Sequence, residues 1–294
     1  MTDFLQLAIT GLLTGGLYAM VAAAIVLVYK STHVVSLAHG QFLAFGAFFF
    51  YIFIVVLALP FWAAILLTFL VAAAIGLAAE RFSLRPLIGQ PLFSAFLMTF
   101  AIFMTMDGIF QLILKGETRT LPRFLSTETL SAGGLNIPTG GILSFGVALA
   151  MFFLLGLFFR FTKVGLGMRA TAEDHQLAQS TGISVRTIFS IVWIVSALVA
   201  AVAGISLARV MDIHYPLPWI GVKGLVVALF GGLDSLPGAL LAGLILGMLE
   251  NLSAGYLDPL VGGGVGDVAA YVMLLLILLV KPFGLFGLKR IERI

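Results

Sequence analysis

Arg169-Ala-Thr-Ala-Glu-Asp-His-Gln-Leu-Ala-Gln-Ser-Thr-Gly-Ile183 is a polar, charged stretch in a chain that is otherwise almost continuously apolar. Arg169 to Thr181 runs without Gly or Pro, and Ala170, Ala172, Glu173, Gln176, Leu177, Ala178 and Gln179 are good helix formers. Gly182 stands where such a helix would stop, because glycine takes the left-handed cap conformation at little cost. Gly165 and Gly167 loosen the chain ahead of it. The expectation is one helix of about four turns. Met168, Ala172, Leu177 and Ala178 give it a narrow apolar edge that can seat in a groove on another protein, with Arg169, Glu173 and Asp174 orienting it at the rim and Ile183 following its stop. A helix lying on lipid favours Lys, Arg and bulky apolar residues. Two adjacent acids and small side chains favour a water-soluble partner instead.

Outside this island the chain reads as membrane. Charged residues are 10% of the sequence and apolar ones 61%, whereas a soluble domain carries about 25% charged residues. A crossing needs roughly 20 mostly apolar residues. That rule marks Phe4–Tyr29, Phe42–Leu59, Phe61–Ala79, Leu92–Leu114, Gly140–Phe159, Thr187–Ala208, Leu236–Ala254 and Val268–Val280. Gly221–Leu233 is a ninth, short candidate: a tilted or broken span, or a re-entrant piece packed inside protein. The expected fold is an all-α, polytopic transmembrane helical bundle of eight or nine spans, one domain over residues 1–294, with the island (about 160–186) on the cytoplasmic side. The first apolar run follows Met1-Thr2-Asp3 with no basic region, so it reads as a retained span rather than a signal peptide.

With the island inside, Lys115, Arg119, Arg123, Arg209 and Lys223 are the outer cations, leaving 11 of the 16 Lys and Arg inside, as the positive-inside rule requires. The N-terminus is then outside and the C-terminus cytoplasmic. A net charge of +3 is accounted for by membrane lipid contacts and implies no nucleic acid. The turn-rich loop Lys115–Thr139, with Pro122, Pro138 and Gly133-Gly134, lies outside, as a solvated connector or a contact for an extracytoplasmic partner. Cysteine is absent, which excludes disulfides and thiolate chemistry. His33, His39, His175 and His214 lack metal-ligand spacing.

Ionisable groups at membrane depth are functional candidates by default. Asp107 lies in the fourth span, Glu250 and Asn251 toward the outer end of the eighth, and His39, with Gly40 and Gln41, at the cytoplasmic mouth of the second. Asp107 and Glu250 can face a translocation path and meet the ammonium group of a zwitterion, or be paired. His39 and Gly40 also suit a tight packing turn. Gly11, Gly15 and Gly16, together with Gly231, Gly232, Gly238, Gly243 and Gly247, suit close helix packing, and Gly243-Leu-Ile-Leu-Gly247 is a G-x-x-x-G. Gly11–Gly16 and Gly231–Gly238 also echo each other, as inverted repeats with broken helices would. Gly264-Val-Gly-Asp267 matches an intramembrane aspartyl-protease string, but the second aspartate such a dyad needs is missing. A phosphate-cradling G-x-x-x-x-G-K-[ST] is absent too, so this chain brings no ATP cofactor site of its own.

Ala38-His39-Gly40-Gln41 with Leu43 and Gly46-Ala47 resembles the "AHGE" signature of LivH-type permeases. Gly231-Gly-Leu-Asp-Ser-Leu-Pro-Gly-Ala-Leu-Leu-Ala-Gly243 is similar to their "GGLGSIPGALLG", Lys281-Pro-Phe-Gly-Leu-Phe-Gly287 to their "RPxGLFG", and the island to the coupling segment of ABC-importer permeases. Gln41, Asp234 and Lys281 depart from that pattern. The resemblance implies an inner-membrane permease for branched-chain amino acids that is not itself an enzyme. Its implied partners are a second related permease subunit, two cytoplasmic ABC ATPase subunits that bind ATP and Mg, and a periplasmic amino-acid-binding protein. The alternatives are an ion-coupled secondary transporter using Asp107 and Glu250 as a relay, a membrane scaffold, or the same ABC architecture carrying urea or short amides.

Overall fold

Apolar runs of bilayer length become helices because only an internal hydrogen-bond ladder satisfies each backbone group in hydrocarbon. The computed structural model describes residues 2–122, 129–132 and 134–287; Arg123, Gly133, Lys289, Arg290 and Arg293 lie outside them. In order the elements are α1 (Thr2–Thr32), α2 (His39–Tyr51, continued by a π-turn, Ile52–Val56), α3 (Phe61–Ala78, continued by tighter and wider turns to Leu87) and α4 (Leu92–Leu114). A small antiparallel hairpin, β1 (Thr129–Ala132) and β2 (Leu135–Pro138), precedes α5 (Thr139–Phe161). Then come α6 (Lys163–Glu173), α7 (His175–Ser180), α8 (Val185–Met211), α9 (Ile220–Gly231), α10 (Leu236–Val261) and α11 (Val265–Val280).

Seven of these helices are long and apolar enough to cross a membrane: α1 to α5, α8 and α10, with α2 and α3 counted through their continuations. The protein is a multi-pass, nearly all-α membrane bundle. The 12 residues of α9 and the 16 of α11 make helices of about 18 and 24 Å, short of a roughly 30 Å hydrocarbon core. The eight or nine expected spans therefore resolve into seven full-length helices and two short ones among the described residues.

Helix α1 is the axis. Its residues Leu17 to Val28 are all buried beneath α5, α8, α9 and α10. Glycines allow the closest approach: Gly11 lies on Gly247 and Gly15 on Gly243, so α1 and α10 run antiparallel, and an added methyl at any of the four would strike partner backbone. Gly16 seats a ring of α5, that of Phe145.

The packing comes in matched pairs. α1 lies on α10 and α9, as α8 lies on α3 and α2. α1 ends, and α8 begins, at the end of the bundle that carries α6 and α7, since His33 just past α1 reaches the Ala172 carbonyl of α6 at 2.9 Å. The segments α1–α4 and α8–α11 thus form an inverted pair. The glycine echo does not mark this repeat: Gly11–Gly16 lies inside α1, whereas Gly231–Gly238 forms the turn from α9 to α10.

Candidate functional site

The polar island folds as two short helices, not one. Asp174 breaks it: its carboxylate accepts from the N–H groups of Gln176 and Leu177 at 2.7 and 2.9 Å and so caps α7. Aspartate favours that role over a helix interior. At the other end Ile183 N–H donates to Ala178 and Gly182 N–H to Gln179, with Gly182 at φ +87°, the Schellman stop. Gly165 and Gly167 lie inside α6 rather than ahead of it; the loosened residue is Thr162, whose hydroxyl accepts from Gly165 N–H at 3.0 Å.

The expected apolar edge is not a single surface. Met168 and Ala178 are buried against the bundle, Gly167 packs on Ile188, and Ala172 and Ile183 are half-buried. The outward face carries Arg169, Glu173, Asp174 and Gly182 with two large apolar side chains, Leu177 and Leu166. Leu166 went unnoticed in the sequence because it precedes the polar run. Arg169 also donates to the Phe159 carbonyl at the end of α5. Below the segment, Arg85 forks onto Glu80 at 2.9 and 2.7 Å and bonds Ser190 at 2.7 Å, tying the end of α3 to the first turns of α8.

The second feature lies at the middle of the bundle. After α1 and after α8 the chain turns at a non-glycine residue of positive φ, His33 (+57°) and Asp212 (+63°), and runs back without α-helix before α2 and α9 begin, α9 being led in by a 3-10 turn, Leu217–Trp219. Leu37 N–H donates to the Thr99 hydroxyl on the way to α2. On the way to α9, Ile213 pairs with Arg119. Both helices start deep inside. Gly40, in the first turn of α2, lies on Gly221, in the first turn of α9; an added methyl on Gly40 would also meet Pro218 and Phe103. His39 is therefore not at the mouth of a span. It is fully buried, 2.9 Å from the Ser36 hydroxyl and against the ring of Trp193, and its Nε2 has no hydrogen-bond partner among the described residues.

The two starts are held by different chemistry. At α2, Gln41 donates to Asp107 at 2.9 Å, and Gln111 donates to the other carboxylate oxygen at 2.5 Å. At α9, Lys223 donates to Glu250 Oε1 at 2.5 Å and to Asp267 at 2.6 Å, while the Tyr18 hydroxyl donates to Glu250 Oε1 at 3.3 Å. Lys223 is thus half-buried in a charged cluster within the bundle, not in an outer loop. The cost argument applied to Asp107 flags it equally, since it is the lone charge in the short apolar segment Gly221–Leu233. Asn251 turns from the cluster, bonds the Gly247 carbonyl at 3.2 Å and packs near Gly11. Among the described residues no group of three His, Cys, Asp or Glu could hold a metal ion.

The far end of α9 joins two of the quoted motifs. Leu285 and Phe286 N–H groups donate to the Phe230 and Gly231 carbonyls, satisfying a helix end. Gly232, at φ +101°, lies on Gly287, and Gly231 lies on Gly238. A side chain at Gly232 would push the closing strap off the helix, and one at Gly231 would push off the first turn of α10.

The sequence signature of the family described as "Branched-chain amino acid transport system / permease component" matches residues 7–281. The high-affinity branched-chain amino acid transport system permease protein BraD of Pseudomonas aeruginosa is 31% identical, over 99% of this chain and 98% of that protein. LivH of Escherichia coli K12 is 27% identical over 99% and 98%. The fructose import permease protein FruF of Bifidobacterium longum is 28% identical over 63% of this chain and 54% of its own. With nearly its whole length matched, the chain belongs to the branched-chain amino acid transport system permease family.

Proposed function

We propose that this chain is the membrane subunit of an ATP-driven importer of branched-chain amino acids, working by alternating access. It pairs with a second, related permease subunit. Two cytoplasmic ABC ATPases bind ATP and Mg and drive it, and a periplasmic amino-acid-binding protein supplies the solute. In the bacterial inner membrane the α6–α7 end faces the cytoplasm, with the C-terminus on that side and the N-terminus outside.

The observation that carries this reading is the build of α6 and α7. Their outer face is polar with Leu166 and Leu177 exposed, which suits a soluble groove. Their inner face is anchored by Met168, Ala178 and the His33–Ala172 contact. A pull on the outer face is therefore passed to α1 and α8 as movement of packed elements. A proton relay needs linked acids, and Asp107 is closed off by Gln41 and Gln111, which disfavours ion coupling. The similarity to a fructose permease favours keeping a second solute class, sugars or small amides, as the alternative cargo.

Purification from the native membrane tests the reading. ATPase subunits are expected to co-purify with the wild type and to be lost when Leu177→Glu is combined with Gly182→Pro, since proline cannot take a positive φ. Uptake of leucine into vesicles is expected to need ATP and to survive a protonophore. Uptake that instead collapses with the ion gradient and ignores ATP would refute it.

A further inference from the structure

The coupling reading gives Tyr18, Lys223 and Asp267 no task, yet these residues form with Glu250 the most highly charged contact inside the bundle. Lys223 sits in the first turn of α9, level with Tyr18 midway along α1. Two carboxylates share its one ammonium group, so the cluster carries a net negative charge. Glu250 uses a single oxygen for both Lys223 and Tyr18; its Oε2 is buried and has no donor among the described residues. A buried carboxylate oxygen without a donor is destabilising.

The cluster is nonetheless open on one side. The side chain of Glu250 is 13% exposed, Lys223 17% and Asp267 66%. Charge facing hydrocarbon is costly, so this opening faces water or protein rather than lipid tails. Beside it a tight turn, Leu217–Trp219, leads straight into α9, and the first N–H of α9, that of Ile220, donates to the Leu217 and Pro218 carbonyls. The partly exposed cluster thus presents paired cationic and anionic groups.

We propose that this cluster is a binding site for the charged ends of an α-amino acid zwitterion, whose ammonium and carboxylate groups are joined through a single carbon. The substrate ammonium takes the place of Lys223 on Glu250 and reaches Asp267. The substrate carboxylate takes the freed ammonium group of Lys223. One internal ion pair is exchanged for two, so no charge is left bare during the exchange. A sugar or a neutral amide cannot replace the Lys223–Glu250 bond and is rejected by that unmet exchange. This assignment deepens the importer reading and rests on it.

The test uses the complete importer, this chain with its co-purifying subunits, in liposomes, reading radiolabelled leucine uptake per ATP hydrolysed. Glu250→Gln is expected to lower it at least about tenfold, the loss of a charged hydrogen bond, with assembly intact. The double variant Lys223→Glu, Glu250→Lys rebuilds an ion pair of opposite polarity. It is expected to keep the assembly and thermal stability of the wild type and to stay at least about tenfold impaired. Uptake restored by that exchange makes the pair a brace between helices and overturns the site, as does wild-type uptake in Glu250→Gln. Should either fold poorly, Asp267→Asn at the open rim is expected to lose uptake several-fold, and unchanged uptake there overturns the site as well. A wild-type complex that hydrolyses ATP but moves no amino acid overturns the importer reading and the site with it. A wild type that imports leucine beside unimpaired variants overturns the site alone.

Discussion

At the start of α2 the chain closes a broken crossing with neutral groups: His39, Gly40 and Gln41 are fully buried, and Gln41 and Gln111 share one carboxylate, Asp107. At the start of α9, in the other half of the inverted pair, the closure is ionic and partly open: Lys223 binds Glu250 and Asp267. The breaks themselves match, down to a positive-φ residue before each and the Gly40–Gly221 contact between them. Under the proposed zwitterion site, equivalent backbone with unequal chemistry makes the α2 start a support and the α9 start a place where partners are exchanged.

The largest expected effect breaks the comparison at its charged side. Lys223→Met leaves the half-buried Glu250 beside Asp267 with no cation, and stranding one member of a buried pair costs up to about 3–5 kcal/mol. Its counterpart, Gln41→Met, removes the donor to one oxygen of Asp107 while Gln111 still serves the other, for a cost of about 1.5–3 kcal/mol. Thermal or denaturant unfolding of the two purified variants measures the difference. Equal losses would show that the two starts are held alike.

A smaller effect tests whether the halves share a midpoint. Gly40→Ala and Gly221→Ala each push a methyl into facing backbone, which costs about 1–3 kcal/mol in a packed interior. Because both methyls enter the same gap, the double variant is expected to depart from the sum of the singles by more than about 0.5 kcal/mol. Additive losses would mean that α2 and α9 can separate without consequence for the fold.

Much of the bundle was legible in the sequence, because apolar length alone marks a crossing; α4 was read to the residue, Leu92–Leu114. Gly182 as a stop was legible as well, since the residue type dictates the conformation. The break at Asp174 was hidden by good helix formers on both sides, although aspartate is a preferred cap. Which acid meets which partner was not legible. Asp107 and Glu250 look alike in sequence, and only packing brings Gln41, 66 residues away, to one and Lys223, 27 away, to the other. The inverted pair was equally hidden: it is written in matched helix contacts, whereas the glycine echo tracked a turn.

The smallest effect sharpens the comparison at the rim of the α9 cluster. Asp267 is the exposed partner of Lys223, 66% open, and exposed ion pairs contribute only about 0–1 kcal/mol because water screens them. Asp267→Asn is therefore expected to shift unfolding by less than about 1 kcal/mol, well below Lys223→Met, since Glu250 still holds the lysine. If it instead destabilised the protein as much as Lys223→Met, the exposed carboxylate would be part of the structural lock. The openness of the α9 start would then be no sign of exchange, and the two halves would differ in charge alone.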